Sequence, residues 1–364
     1  MSSICEQATG LSDQEYWGAL SAKIAAERVP FSGSLALTHR CNLNCVHCYA
    51  KEEPIPKIRK RELKTGQWLK IINEIKEAGC LYLLLTGGEP LLRDDFPEIY
   101  TYAKKSGFLV TVFTSGSLIS DRIIGLFREL PPRLVEISLY GARAETHDRI
   151  TGVPGSYALA RHGIDGLVEL GVRLGLKSVM MTLNIAEFSA IEELARGLGA
   201  RFRLDPAIFP TLAGDRSPLD LRVPAKQAVA QEFSDSGRVR DWRDFYSRVR
   251  GAAPAESVYS CAAGMSTFHV DPQGMLYPCV MAARRGHSLV GSSFRKRWQE
   301  DMPLVRADRI AANSPCHGCE WKPVCGYCPG FFELENGNEK VPSAYLCEVG
   351  QLRHEYLTAE AIGG

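Results

Sequence analysis

Apolar and polar positions along residues 34–207 follow two periods that take turns. Short β-type runs at 34–38, 81–86, 108–114, 134–139, 174–182 and 201–206 alternate with stretches at 65–78, 95–106, 120–130, 156–170 and 186–198, where apolar residues recur every three to four positions. The first pattern reads as strands and the second as helices with one buried face. Several helical stretches open on Ser, Thr or Asp, the residue types that cap helix N-termini. Strands alternating with helices predict βα units around a parallel sheet. Six units over this span average about 29 residues, close to the ~31 of an eight-unit barrel. The expected fold is therefore α/β, a partial (β/α)6 TIM-type barrel. An open flavodoxin-like sheet is the alternative, because unit length does not report closure.

The pattern changes after Pro210. A charged, Pro-punctuated stretch over 211–260 reads as a helical linker, and its interleaved Arg and Asp suit a solvated helix face better than an RNA contact. From Cys261 a short hairpin is expected, 268–270 and 276–277 around the turn Asp271-Pro272-Gln273-Gly274, followed by Cys-rich loops and a helix near 348–360. The expected organisation is an N-terminal extension (1–33), the barrel (34–210), the linker (211–260), a small Cys-rich domain (261–347) and a C-terminal helix and tail (348–364).

Composition narrows the class. With 364 residues and 45% hydrophobic content the chain can bury a large core. Lys plus Arg (43) nearly cancels Asp plus Glu (42), so no global field draws it to nucleic acid or an anionic membrane. No basic-then-apolar signal opens the chain, and no apolar run approaches ~18 residues, so neither secretion nor a membrane span is expected. The expected compartment is the cytoplasm. The 12 Cys are about twice average usage. In a reducing compartment clustered thiols serve as metal ligands or redox groups more often than as disulfides.

Three of these thiols follow the first strand in Arg40-Cys41-Asn42-Leu43-Asn44-Cys45-Val46-His47-Cys48-Tyr49. A loop at the C-terminal end of a barrel strand is where such folds place their chemistry. Thiolates select iron–sulfur, zinc or copper(I), and three of them on a cubane leave one iron open. The spacing Cys41-x3-Cys45-x2-Cys48 resembles the signature of radical S-adenosylmethionine (SAM) enzymes. Thr86-Gly87-Gly88-Glu89-Pro90, after the second strand, resembles that family's GGEP motif, which binds the methionine amino group. The resemblance further implies SAM contacts at Ser115 and Ser138, at His47 and Tyr49 beside the last ligand, and at Arg149 or Arg161 for the SAM carboxylate. Asn184 matches a frequent polar position of the family. Asp205, ending the sixth strand, is a candidate catalytic residue, with an ion pair as the plainer reading.

Cys261-x12-Gly274-x4-Cys279, then Cys316-x2-Cys319-x5-Cys325-x2-Cys328, then Cys347, is similar to the seven-Cys SPASM domain of radical SAM maturases. That resemblance implies two auxiliary [4Fe-4S] clusters: a distal one on Cys316, Cys319, Cys325 and Cys347 and a proximal one on Cys261, Cys279 and Cys328, the latter with an open iron or a non-Cys ligand. The x2 spacing before Cys328 departs from the usual x3. Spacing alone equally suits a zinc ribbon. Cys5, and Cys80 at a helix–strand junction, have no partner motif.

The function implied is a maturase that generates a 5′-deoxyadenosyl radical, abstracts hydrogen from a ribosomally made peptide and installs a thioether, carbon–carbon or related crosslink. A low-potential donor such as flavodoxin or ferredoxin would reduce it. Only 40 residues precede Cys41, so for a leader-bearing peptide either a separate leader-peptide recognition protein or direct binding by the barrel is expected. The alternatives are a sulfatase-type maturase forming formylglycine, a small-molecule enzyme of alternative haem synthesis, and a non-catalytic iron–sulfur or zinc scaffold.

Overall fold

The computed structural model describes residues 12–50, 62–251 and 256–359; Cys5 lies outside them. Strands β1 Ser32–Ala36, β2 Tyr82–Thr86, β3 Leu109–Thr114, β4 Leu134–Ser138, β5 Leu174–Val179 and β6 Arg201–Asp205 form the six expected units, joined by β7 Thr267–Val270, β8 Met275–Tyr277 and β9 His287–Ser288. All nine lie in one sheet in the order β6-β5-β4-β3-β2-β1-β7-β8-β9. β1 to β6 are parallel and strictly sequential. A doubly wound sheet must reverse its strand order. Sequential strands joined by right-handed crossovers place every helix on one face, so the flavodoxin-like alternative is set aside.

Burial shows the same one-sidedness. Helices Thr65–Glu77, Phe96–Lys105, Asp121–Glu129, Ser156–Glu169 and Phe188–Gly197 each bury an apolar stripe, such as Trp68, Ile71, Ile72 and Ile75 on the first. These stripes share one core with Leu83, Leu85, Val110, Val112, Val135, Ile137 and Leu176 from the strands. Alternate strand residues face the other way, and there the sheet is polar: Glu136 pairs with Arg203 at 3.2 Å, and Lys177 with Asp205 at 3.4 Å. Cys80 packs in the main core, its thiol 3.3 Å from the Tyr82 carbonyl and pushed up to about 12 by burial.

The predicted hairpin forms, but it does not stand apart. β7 pairs in parallel with β1, Gly33 opposite Phe268, so β1 becomes an interior strand. Phe268 then packs on Phe294 (4.8 Å between rings) and Trp298 in the same core as the barrel helices. Helix Phe294–Glu300 docks on helix Thr65–Glu77, where the Phe294 N–H donates to Glu74 Oε2 at 2.6 Å. Sequence periodicity also missed helices Asp13–Glu27 and Ala144–Thr151. The first buries no residue and closes on a Ser12–Glu15 capping box, so it had no apolar stripe to find. Ser120 and Asp95 stand at the N-cap positions expected of them but make no side-chain cap bond; Asp95 instead accepts from Arg93 and Thr65. No described helix is long and apolar enough to cross a membrane.

The β1–β7 seam is tight: a Cβ at Gly33 would sit 2.1 Å from the Phe268 ring. That ring is fixed between Phe294 and Trp298. Gly33→Ala is expected to lower unfolding stability by about 1–3 kcal/mol through overpacking, measured by denaturant titration, and an unchanged midpoint would contradict a rigid seam.

Candidate functional site

The loop after β1 is clamped from both sides by backbone hydrogen bonds. On one side Gly88 N–H donates to the Thr38 carbonyl (2.7 Å) and Glu89 N–H to the Arg40 carbonyl (2.8 Å). A Cβ at Gly87 or Gly88 would lie 2.3 Å from those same two oxygens, so the paired glycines let the loops touch. On the other side Asn44 and Val46 donate to the carbonyls of Thr151 and Ile150 at 2.8 and 3.0 Å. Gly152, at φ +69, fits beneath Asn44 where a Cβ would meet its carbonyl at 2.8 Å.

A cavity of about 200 Å³ opens between these loops. The three thiols of Cys41, Cys45 and Cys48 line it together with Gly87, Gly88, Ser115 and Ser138. All three are free of disulfides. They stand around the buried Tyr140 hydroxyl, whose pKa burial and the three sulfurs raise. Cys41 accepts from the Leu43 N–H at 3.4 Å; burial pushes its thiol up to about 11 against that bond. His47 lies edge-on to Tyr140, 4.6 Å between rings, and its buried Nδ1 has no hydrogen-bond partner. Burial first, then Lys177, holds that ring down at about 4. Tyr49, Asp205 and Lys177 complete the wall. Among the described residues no three His, Cys, Asp or Glu side chains form a group fit to hold a single metal ion.

Other expected site residues lie behind the wall. Glu89 is fully buried and its carboxylate is saturated, accepting from Thr114 Oγ1, from the Ser115 N–H and hydroxyl at 2.7 Å each, and from the Leu91 N–H. Burial raises its pKa against those bonds. Glu89 therefore ties the end of β3 to the GGEP loop, and Gly87 and Gly88, not Glu89 or Pro90, face the cavity. Exposed Arg149 donates to the Leu183 carbonyl at 3.1 Å. Arg161 pairs with Asp165 at 3.2 Å, yet its Nη1 is buried without a partner. Asn184 bonds Met181, Tyr140 and Val179 backbone groups and so fixes the β4 and β5 loops. Lys177 and Phe209 were missed. The signal for Lys177 was present, a lone charge on the inward side of an apolar strand, whereas Phe209 lies in irregular chain.

A second cavity, of about 270 Å³, shares the wall Tyr49, Ala50, Thr86 and Gly87 and extends along His39, His269 and Asp271 to Val280, the neighbour of Cys279. Beyond it the remaining thiols form two sets. Cys316, Cys319, Cys325 and Cys347 all lie within electrostatic reach of one another. So do Cys261, Cys279 and Cys328. Burial pushes Cys279 and Cys325 up to about 12, so a metal bound there must displace a proton.

His147 anchors the loop carrying Tyr140: its Nδ1 accepts from the Tyr140 N–H at 3.2 Å. Burial holds the ring at about 4, against Asp148. With a lowered folded pKa, the unfolded chain protonates first, near 6.5. The ring's effect is absent above pH 6.5, and stability falls as pH drops from there to about 4. His147→Asn, which keeps an acceptor, is expected to flatten the pH dependence of chemical unfolding in this window by up to about 1.4 kcal/mol per pH unit. Equal slopes in the two proteins would rule this out.

A profile of the Radical SAM superfamily matches residues 35–196. The mycofactocin maturase MftC of Mycobacterium ulcerans is 30% identical over 303 residues, 79% of this chain and 80% of that protein. The AdoMet-dependent heme synthase of Methanosarcina barkeri is 29% identical over 327 residues, 84% of this chain and 93% of its own length. The fold matches that of Streptococcus suis SuiB, solved with the precursor peptide SuiA, with a TM-score of 0.69 at 15% identity over 95% of this chain and 83% of SuiB. The chain belongs to the radical SAM superfamily, enzymes that use SAM and a [4Fe-4S] cluster.

Proposed function

We propose that this chain is a radical SAM maturase that modifies a ribosomally made peptide. The observation that carries this reading is the trio Cys41, Cys45 and Cys48: unbridged thiols on one cavity with the Gly87-Gly88 edge, Ser115 and Ser138, beside a second cavity that reaches Val280, next to Cys279. When bound, the cluster and SAM supply one-electron reduction and a radical able to abstract hydrogen from carbon.

The chain's own residues bind, orient and exclude water. Cys41, Cys45 and Cys48 hold the cluster, leaving one iron for SAM. Gly87 and Gly88 present open backbone to its methionine end, and Glu89 acts through Ser115 by fixing that side chain at the rim. Arg161 suits the SAM carboxylate better than Arg149, because its Nη1 is buried and unpartnered and its helix packs on Gly116 through Ala160 and Gly163. His47, Tyr49 and Tyr140 wall the adenine side, with Phe209 on the same lining. Cys316, Cys319, Cys325 and Cys347 hold the distal auxiliary cluster, and Cys261, Cys279 and Cys328 the proximal one. A flavodoxin or ferredoxin in the cytoplasm donates the electron, and a separate leader-recognition protein presents the peptide, with the open edges at β6 and β9 available for added-strand pairing.

A second reading is favoured by the length of the match to the heme synthase and by Lys177, a cation on the cavity wall suited to a substrate carboxylate. The two readings part in one experiment on the full chain, reconstituted anaerobically. About twelve irons per chain are expected, with 5′-deoxyadenosine formed from SAM and reductant. Cys41→Ala, Cys45→Ala and Cys48→Ala should each abolish 5′-deoxyadenosine and remove about four irons. Mass change in short candidate peptides supports the maturase; mass loss from an iron porphyrin carboxylate, with peptides untouched, supports the second reading. Wild-type chain with about four irons and no 5′-deoxyadenosine would sink both.

A further inference from the structure

Lys322 occupies a particular place in the four-thiol set. Its N–H donates to the Cys319 carbonyl at 3.3 Å, and its own carbonyl lies 3.5 Å from the Cys325 sulfur, so its backbone is held between Cys319 and Cys325. Its ammonium lies 4.5 Å over the Tyr327 ring, which keeps the charge folded back over the loop. From there it acts on Cys316, Cys319 and Cys325.

Tyr327 stands between Cys325 of the four-thiol set and Cys328 of the three-thiol set. Its ring meets Phe332 at 5.2 Å, on the apolar cluster that Cys316 and Cys328 also border, and the sulfurs that act on its hydroxyl come from both sets: Cys316 and Cys325, then Cys328 and Cys261. The three-thiol set is in turn linked to the first cavity by packed rings. Tyr49 meets Phe209 at 5.6 Å, Phe209 meets Phe331 at 5.7 Å, and the Phe331 N–H donates to the Cys328 sulfur at 3.4 Å. Contact is thus continuous from the Cys41 cavity to Cys328, and Tyr327 lies within electrostatic reach of both sets of thiols.

We propose that Lys322 raises the reduction potential of the four-thiol centre, so that an electron entering at the three-thiol centre passes on, across Tyr327, to the four-thiol centre. This rests on the reading that both sets hold [4Fe-4S] clusters. Four thiolates bring one more negative charge than three, so the four-thiol centre alone would be the poorer electron acceptor. A cation held over the Tyr327 ring within electrostatic reach of three of the four thiols favours the reduced form and offsets that charge. The three-thiol side has its own cation, Arg306, which donates to the Cys261 carbonyl at 2.6 Å and acts on Cys261 alone of the three thiols, whereas Lys322 acts on three of its four. In the step itself one electron leaves the three-thiol centre, which is oxidised, and enters the four-thiol centre, which is reduced; no bond and no proton changes place.

The test is potentiometric titration of the reconstituted full chain followed by electron paramagnetic resonance, with iron counted in every sample. Cys347→Ala identifies the four-thiol signal by its loss. Lys322→Gln is expected to keep the iron content and shift the midpoint of that signal downward, leaving the other two signals in place, while Lys322→Arg keeps the wild-type midpoint. An unmoved midpoint in Lys322→Gln with full iron overturns the proposal, and so does loss of about four irons in that variant, which would assign Lys322 to holding the loop. Wild-type chain lacking both auxiliary signals overturns the cluster reading and the proposal with it, an outcome distinct from the other two.

Discussion

Parallel pairing of β1 on both flanks is the constraint on which the rest depends. β1 takes β2 on one side and β7 on the other, in registers that place Ser32 opposite both Tyr82 and Thr267. The loop carrying Cys41, Cys45 and Cys48 leaves the end of this strand, so it emerges at the junction of the barrel and the Cys-rich region. A strand paired on both edges cannot slip by one residue without turning Leu35 out of the core and Ser34 into it. The position of the first three thiols relative to Cys279 is therefore set by backbone pairing and not by a flexible hinge.

Polar networks then fix what the sheet leaves open. Arg93 is buried and donates to the carbonyls of Leu37 and Leu63 while pairing with Asp95 at 2.7 Å, and Arg40 meets Glu62 at 3.2 Å. Glu187 gathers the backbone N–H of Ala142, the guanidinium of Arg143 and the Thr146 hydroxyl. At the far end Arg353 joins buried Glu232 at 2.8 Å to the Val324 carbonyl, one residue before Cys325. Such groups are costly to bury and are tolerated only when nearly every donor and acceptor is met. Among the described residues six buried side-chain atoms have no hydrogen-bond partner: Asn42 Oδ1, His47 Nδ1, Trp68 Nε1, Arg161 Nη1, Ser178 Oγ and Glu333 Oε1. The first two are on the Cys41–Cys48 loop itself.

Period and spacing made the six βα units and the two Cys groupings legible, because each depends on local sequence alone. The β7–β1 pairing did not show, since nothing local in Thr267–Val270 records which strand it will meet some 230 residues earlier. The partners of Glu89 did not show for a related reason: a motif names a residue but not the direction of its side chain, and the Thr114 and Ser115 donors that claim it lie at the end of another strand. Lys177 was hidden differently. Its neighbours read as a buried strand, and only the alternation of faces, with Leu176 outward to the helices, turns it inward to Asp205.

The distribution of charge explains how a chain of net charge +1 can still select its ligands. Opposite charges are spent on one another inside the sheet, at Glu136–Arg203 and Lys177–Asp205, and each pair lines or backs the polar face. Lys177 is only partly buried and 3.4 Å from its partner, a distance at which Asp205 attenuates its charge without cancelling it. A ligand carboxylate arriving there would share the ammonium with Asp205, and a neutral ligand would leave the pair intact. Selectivity on that side is thus a competition between two acceptors for one cation, set by how far Asp205 can yield, and it needs no long-range field.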